Sequence, residues 1–268
     1  MSLRINSNVE AFNAHRNLAA TSNNVAKSME RLSSGLRINR AADDAAGLAI
    51  SERLRAQSTG LAQAQRNTQD AVSLVQTSEG ALNEVHSMLQ RVRELAVQYK
   101  NGSLSSTDQQ AIQSEVNQLA SEIERIGTDS DFNGIKLLST GGSITFQVGA
   151  NDGQSISVAT ISLGGTVGTL FAQLTTTGSA DIAEIDAAID KVSATRASYG
   201  AVQNRLEHTL NNLATYQENL MASESRIRDV DMASEMVNFT KQQILQQAGT
   251  SMLAQANQAP QSVLSLLR

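Results

Sequence analysis

The chain has 268 residues and a formal net charge of −5, and only 3% of its residues are aromatic. It contains no cysteine, which excludes a disulfide framework and a thiolate metal site. No block of lysine and arginine stands out, so the electrostatic footprint of a nucleic-acid-binding protein is absent. The single proline, Pro260, lies near the C-terminus, and a chain with so few helix breakers favours long helices packed through aliphatic side chains.

The N-terminal residues do not show a basic stretch followed by an apolar run, so a Sec signal peptide is not expected. No stretch approaches the roughly 20 apolar residues that a membrane span requires, and no membrane partner is predicted. Taken alone, these observations favour a cytoplasmic protein.

The first predicted helix follows an apolar stripe that begins with Ile5, Val9 and Phe12 and continues at helical spacing to Leu36. Gly35 lies where such a helix would end in a left-handed conformation. Asp43 and Asp44 come next, and both are predicted to cap the following helix.

A very long second helix is predicted from about residue 44 to residue 99 because a heptad repeat fits the whole stretch. A third helix follows Asn101-Gly102-Ser103, with apolar residues at alternating four- and three-residue spacing from Ile112 to Ile126. The two heptad columns of the second helix are Leu54, Leu61, Thr68, Val75, Leu82, Leu89 and Ala96, and Ala64, Ala71, Ser78, Val85, Val92 and Tyr99.

Helix length constrains the predicted shape. A helix from residue 44 to 99 would span roughly 80 Å, whereas a compact protein of this size has a radius of gyration of about 18 Å. The sequence therefore predicts a mainly α, elongated rod of antiparallel, coiled-coil-like helices, closed by a helix through residues 185–220.

The helical pattern stops between about residues 128 and 180, where glycine, serine and threonine dominate. Two alternating runs, 144–148 and 155–158, flank Gly149-Ala-Asn-Asp-Gly153 and predict a β-hairpin. Residues 161–180 are predicted to be a Thr/Gly-rich tip loop. The predicted segments are an N-terminal helix (1–42), the N-terminal part of the rod with the hairpin and tip (43–180), the C-terminal rod helix (181–228) and a C-terminal helix (229–268).

The two terminal helices carry apolar stripes but have little to pack against. Two lone helices bury each other along one side only, which would leave Phe12, Met29, Ile244 and Leu266 in water. Apolar patches of this kind mark interaction sites. The sequence therefore predicts a subunit whose ends become ordered only when many copies pack together.

Several long segments, in the same order, resemble those of bacterial flagellins. SSGLRINRAADDAAGLAIS (33–51) resembles the N-terminal signature of that family, and FNGIKLL (132–138) and FQVGAN (146–151) are similar to its core segments. The C-terminal half is similar through ESRIRDVDMASEM (224–236) and QILQQAGTSMLAQANQAPQSVLSLLR (243–268). Many flagellins insert surface domains in the middle, whereas residues 139–180 hold only the hairpin and a loop, so a near-minimal form with a thin, smooth filament is expected.

The resemblance implies a structural subunit that self-assembles into the flagellar filament for motility. Its terminal helices would pair in an inner coiled coil around the channel, and the rod would form the outer wall. Implied partners are other copies of the chain, hook-associated junction and cap proteins, and an export chaperone on the C-terminal helix. The resemblance also implies type III export without a cleaved peptide and an extracellular location, in place of the cytoplasmic expectation. The residues assigned to the inner tube are Ile5, Val9, Phe12, Ile244, Leu245, Leu253, Val263, Leu264, Leu266 and Leu267.

The segment Gln-Arg-Val-Arg-Glu-Leu at 90–95 resembles the flagellin patch bound by the vertebrate flagellin-sensing Toll-like receptor. A second interpretation is a solvated helix face with an Arg91–Glu94 pair. We expect assembly to be the primary role of this patch and recognition the secondary one. The residues carried over from the motif are Gln90, Arg91, Glu94, Leu95, Gln98 and Glu115.

The sequence carries no constellation of catalytic residues, and neither a cofactor nor a metal is predicted. His15, His86 and His208 are far apart and lack metal-ligand spacing, and the middle segment contains no histidine, which excludes the metallopeptidase insert that a few flagellins carry. The Thr/Ser-rich tip loop is either a plain polar loop or an O-glycosylated one. Two other classes stay open from the pattern: a hook–filament junction protein and a cytoplasmic coiled-coil adaptor.

Overall fold

The structure is a computed structural model, and it describes residues 8–164 and 182–266, without the side chains of 259–266. Over these residues the chain is mainly helical. The helices are α1 (Val9–Ser34), α2 (Ala45–Tyr99), α3 (Ser106–Asp129), α4 (Ile182–Arg228) and α5 (Met232–Leu266). The strands are β1 (Asp131–Phe132), β2 (Ile135–Lys136), β3 (Gly142–Gln147) and β4 (Ser155–Thr160), which form two antiparallel pairs. The mainly α fold with a small hairpin region is confirmed.

The predicted helix boundaries at Gly35 and Asp44 are confirmed. Gly35 has a φ of 72° and donates its backbone N–H to the Arg31 carbonyl, so it ends α1 in the left-handed conformation that glycine adopts without strain. Asp44 accepts a hydrogen bond of 2.8 Å from the Gly47 backbone N–H at the first turn of α2. Asp43 does not share this capping role, because its carboxylate accepts from the backbone N–H groups of Asn39 and Arg40.

The chain forms two compact units. The terminal unit comprises Met1–Ala56 and Asn219–Arg268, and the central unit comprises Gln57–Glu218. Both boundaries fall inside helices α2 and α4, whereas the four predicted segments divide the chain at helix breaks.

The central unit has its core on one face of α2. From residue 61 onward both predicted heptad columns are buried, except that Tyr99 is half-buried, and Leu54 is half-buried in the terminal unit. The hydroxyls of Thr68 and Ser78, which are buried in these columns, donate to backbone carbonyls of the preceding turn, so each is satisfied within α2. The predicted columns are therefore confirmed along the central part of the helix.

A third apolar column of α2 was not predicted. Leu74 and Leu95 are buried, and Ala81 and Met88, at the same heptad position, are half-buried against the same core. Two columns suffice for a pair of helices, but α2 also shares its core with other elements, which requires a wider apolar face. Those elements contribute Ile112, Val116 and Ile123 of α3, Ile185, Val192, Tyr199 and Leu206 of α4, and Ile156 and Val158 of β4.

The predicted hairpin is confirmed as β3 and β4, in which Ile144 pairs with Val158 and Phe146 with Ile156. The turn of this hairpin lies directly on α2, because a Cβ added at Gly60 would be 3.1 Å from the Cβ of Ala150. The Asn67 side chain also donates to the Gln147 carbonyl at 3.0 Å. A glycine and an asparagine of α2 thus position the hairpin.

A second, very short hairpin was missed from the sequence. β1 and β2 are joined by Asn133 and Gly134, whose φ angles of 53° and 78° are both positive. An Asn-Gly pair with two positive φ angles is typical of a type I′ turn, the tight turn that suits two-residue hairpins. The Asn-Gly dipeptide was the available signal, but the two-residue strands are too short to show alternation.

Replacing the fully buried Leu82 by alanine should destabilise the central unit by about 2–5 kcal/mol, because the substitution leaves a cavity in a packed core. The chain has no tryptophan, and its three tyrosines, Tyr99, Tyr199 and Tyr216, all lie in the central unit. Tyrosine fluorescence during urea unfolding therefore reports on this unit. The exposed neighbour Asn83→Ala is the matched control, and equal unfolding midpoints for the two variants would contradict the assignment of Leu82 to the core.

Candidate assembly surface

Helices α1 and α5 of the terminal unit form an antiparallel pair. The Asn8 side chain donates to the Ala256 carbonyl at 2.7 Å, and Arg31 lies 3.7 Å from Glu235 at the other end. Between these points Gly249 lies against Leu18, where an added Cβ would be 3.3 Å from the leucine Cδ1. The absence of a side chain at Gly249 permits this close approach.

The described side chains of this pair do not form a buried apolar core. Among the described side chains of α1 and α5, the buried ones are Ser28 and Glu235, and no apolar side chain is buried. Phe12 is 76% exposed, although a buried phenylalanine would contribute about 2 kcal/mol or more to stability. Several apolar side chains of the two helices are instead exposed, and we call this set the apolar face: Val9, Phe12, Met29, Met232, Met236, Val237, Ile244, Leu245 and Met252.

A groove of about 770 Å³ runs between the two helices. The large apolar residues that line it are Leu18 of α1 and Leu245 and Met252 of α5. Asn13 and Gln255 are among its polar residues. The groove extends the apolar face into a concave surface that a side chain of another molecule can enter.

Four of the predicted inner-tube residues, Val9, Phe12, Ile244 and Leu245, lie on the apolar face, and Leu253 is half-buried. Ile5 and Leu267 lie outside the described residues, as does most of the predicted tip loop. For Val263, Leu264 and Leu266 the structure describes the backbone within α5 but not the side chains. Their role in assembly stays a prediction.

A polar joint connects the two places where the helices break. The Arg37 backbone N–H donates to the Arg228 carbonyl at 2.7 Å, and the Val230 N–H donates to the Gly35 carbonyl at 3.0 Å. These bonds flank an isolated antiparallel bridge between Leu36 and Asp229. The two breaks, distant in sequence, are thereby held side by side.

Ion pairs reinforce the polar joint. Asp43 lies 2.6 Å from Lys27, and its side chain is only 14% exposed. Arg228 contacts Glu52 at 2.6 Å, so the end of α4 is tied to the start of α2. Hydrogen bonds from Lys27 and from backbone N–H groups lower the pKa of Asp43 from 3.8 to about 2. The sequence did not reveal these pairs, because most partners are far apart along the chain.

A second candidate surface is the charged patch on α2 and α3. The Arg91 Nε donates to Glu115 at 2.9 Å, and its Nη1 lies 3.1 Å from Glu94. These two carboxylates, Glu115 first, raise the pKa of Arg91. Gln90 and Gln98 are exposed on the same helix. The structure thus places Gln90, Arg91, Glu94, Gln98 and Glu115 at the surface.

Leu95 was carried over from the motif together with Arg91, but it does not lie at the surface with the rest of the patch. Its side chain is 2% exposed because it belongs to the third apolar column of α2. Arg93 points to a different neighbour and contacts Asp186 at the start of α4 at 2.5 Å, which lowers the pKa of Asp186. This contact brings the end of α2 beside the start of α4, as in an antiparallel pair.

None of the three histidines belongs to a candidate metal site among the described residues. His15 and His208 are exposed, and His86 contacts Gln90 on its own helix. Within the residues that the structure describes, no group of three or more histidine, aspartate and glutamate side chains is arranged to hold a metal ion. No described helix has the length and apolar character needed to cross a membrane.

Titration should find the Asp43 carboxyl with a pKa of about 2, measured by carbon NMR on aspartate-labelled protein. Because the pKa is lower in the folded state than the usual 3.8, this carboxylate contributes stability above pH 3.8. That contribution is lost as the pH falls through about 2. Lys27→Gln should raise the Asp43 pKa, whereas the exposed Lys241→Gln should leave it unchanged. An unperturbed Asp43 in the unaltered chain would show that the Lys27 contact does not persist in solution.

Comparison with known proteins places the chain in a family. Residues 5–142 match the bacterial flagellin N-terminal helical region, and residues 182–267 match the bacterial flagellin C-terminal helical region. A flagellin of Halalkalibacterium halodurans is 55% identical, with 98% of this chain and 99% of that protein covered. A flagellin of Bacillus subtilis is 49% identical, with 99% and 100% covered.

Flagellar proteins of other organisms are also similar to this chain. A flagellar filament 33 kDa core protein of Treponema phagedenis is 48% identical over 98% of this chain and 99% of its own length. Among solved structures, Bacillus cereus flagellin is 35% identical and covers 55% of this chain and 88% of its own, with a TM-score of 0.49. Both terminal regions and the full-length relatives lead to one conclusion: the chain belongs to the bacterial flagellins, in a small form without a large middle domain, and is a structural subunit of the flagellar filament and not an enzyme.

Proposed function

We propose that the chain assembles into the filament by burying the apolar face of α1 and α5 against neighbouring copies. The observation that carries this proposal is that no described apolar side chain of these two helices is buried within the subunit. Ordering a residue costs about 1–2 kcal/mol in backbone entropy, and among the described residues the pair buries no apolar side chain to offset that cost. Contacts with other copies supply the missing burial.

In this arrangement the terminal helices form the inner tube. Residues 1–42 and 229–268 are the inner-tube segments, and residues 43–180 and 181–228 are the rod that forms the outer wall. The polar joint supports this division, because its backbone bonds and ion pairs hold together the breaks between the inner and outer helices. The inner-tube set includes Ile5, Val263, Leu264, Leu266 and Leu267 beside the exposed members of the apolar face.

Export from the cell is a second part of the proposed function. We propose that the chain leaves the cell unfolded through the flagellar type III channel and functions outside it. The absence of cysteine supports this route, since no disulfide can lock the chain before export. A chaperone covering α5 before export would shield Ile244, Leu245 and Met252, which are all exposed. Hook-associated junction and cap proteins would contact the two ends of the assembled tube.

Replacing Phe12 by serine should raise the critical concentration for assembly at least about tenfold, because each subunit loses the burial of one phenylalanine worth about 2 kcal/mol or more. The folded monomer should be unaffected, since Phe12 is 76% exposed there. Seeded polymerisation followed by electron microscopy measures the effect. Ile135→Ser is the control, because Ile135 is also exposed (45%) but lies in the central unit. Normal filament growth by Phe12→Ser would contradict assembly through the apolar face.

We also propose that the charged patch of Gln90, Arg91, Glu94, Gln98 and Glu115 is recognised by the vertebrate flagellin-sensing Toll-like receptor. The specific observation is the geometry of Arg91, whose guanidinium is positioned from two sides by Glu115 and Glu94 while half of its side chain stays exposed. Arginines held in this way are typical interface anchors. The buried Leu95 supports the patch from beneath and does not join the contact. In the filament a neighbouring copy covers the same patch.

Arg91→Ala should weaken binding of the monomer to the receptor at least about tenfold, in the range of an interface hot spot. Arg93→Ala is the matched control, because Arg93 lies on the same helix with similar exposure but pairs with Asp186. Titration of the receptor with each variant, together with thermal melts, separates recognition from stability. If the unaltered chain and Arg91→Ala are both folded and bind the receptor with equal affinity, the patch is only a solvated helix face.

A further inference from the structure

Five of the six methionines among the described residues lie on the surface of the terminal unit. Met29, Met221, Met232, Met236 and Met252 are between 48% and 61% exposed, and all five lie in the terminal unit. Met88, the other methionine among the described residues, is half-buried against the core of the central unit. We call the five the exposed methionines.

Four of these side chains belong to the apolar face of α1 and α5. Met29 and Met236 lie at the same level of the helix pair, because Arg31 and Glu235 beside them are in contact. Met252 lines the groove near the opposite end, together with Leu18. Four of the five exposed methionines are thus spread along the surface through which the chain is proposed to assemble.

The amino-acid composition makes these methionines the main targets of peroxide. The chain has no cysteine and no tryptophan, so methionine is its most peroxide-reactive side chain. Reactivity also follows exposure, which separates the five from Met88. A thioether is apolar and adapts its shape to an interface, whereas a sulfoxide is strongly polar.

We propose that the exposed methionines form a reversible oxidation site through which peroxide prevents the chain from assembling, an inference that rests on assembly through the apolar face. The methionine sulfur attacks one peroxide oxygen, the O–O bond breaks and an S–O bond forms. The other oxygen leaves as water together with the two peroxide protons. The sulfur is oxidised by two electrons and the peroxide is reduced. The sulfoxide oxygen then requires a hydrogen-bond donor that an apolar interface does not offer.

Assembly state should in turn control the reaction. In the monomer the five sulfurs are open to solvent, whereas in the filament those on the apolar face are covered by neighbouring copies. Hydrogen peroxide should therefore block new assembly more readily than it damages existing filaments. Methionine sulfoxide reductases, which act on each sulfoxide epimer, should restore the oxidised monomer.

The test compares monomer and preformed filament treated with the same hydrogen peroxide concentration, with sulfoxides mapped by peptide mass spectrometry. Oxidised monomer should show a critical concentration at least about tenfold higher in seeded polymerisation, with unchanged helix content by circular dichroism. Met29, Met232, Met236 and Met252 should oxidise at least about tenfold more slowly in the filament. Treatment with both reductases should return assembly to its original level.

A variant with all five exposed methionines changed to leucine keeps the surface apolar and should assemble both before and after peroxide. Met88→Leu is the matched control and should remain peroxide-sensitive. Normal assembly of fully oxidised monomer, or equal loss of assembly in the five-leucine variant, would overturn the proposal. Equal oxidation rates in monomer and filament would also overturn it. A separate outcome concerns the proposed function itself. If Phe12→Ser grows filaments as well as the unaltered chain does, assembly does not depend on the apolar face. The oxidation proposal then fails because its assembly surface is wrong, whatever peroxide does to the methionines.

Discussion

Burial of one face of α2 is the constraint on which the central unit depends. The face presents three apolar columns, and residues of α3, α4 and β4 belong to the same buried cluster. Most of these side chains are aliphatic, with Tyr199 as a large fully buried exception. A protein with so few aromatic residues can still form a stable core, because a long helix offers a continuous series of medium-sized side chains.

The terminal unit is held together in a different way from the central unit. Its helices are connected by a polar joint of backbone hydrogen bonds and ion pairs, while no described apolar side chain of α1 or α5 is buried. Hydrogen bonds and exposed ion pairs set geometry but contribute modestly to net stability. The joint thus orients α1 and α5 without burying their apolar side chains, which in the proposed assembly are covered by neighbouring copies.

Sequence patterns predicted the elements of this fold better than their contacts. The heptad columns of α2, the end of α1 at Gly35 and the hairpin of β3 and β4 each depend on local periodicity or turn chemistry, which the sequence displays directly. The third column with Leu95 was missed, because a two-column repeat does not show how many neighbours a helix has. The polar joint was missed because pairs such as Arg228 and Glu52 are distant in sequence and no local pattern links them. At the charged patch, motif matching identified Arg91 and its partners but could not separate surface from core.

The contact of Gly60 with Ala150 has a consequence for how the central unit is aligned. A heptad helix is nearly self-similar: moving a partner along it by one repeat brings similar side chains to the same places. Burial alone therefore distinguishes poorly between alignments one repeat apart. Gly60 accepts the backbone of the hairpin turn at one point only, and Asn67 bonds the Gln147 carbonyl a short distance further along. Gly60 and Asn67 thus set the axial position of the hairpin on an otherwise repetitive helix, although each contact stabilises the fold only weakly.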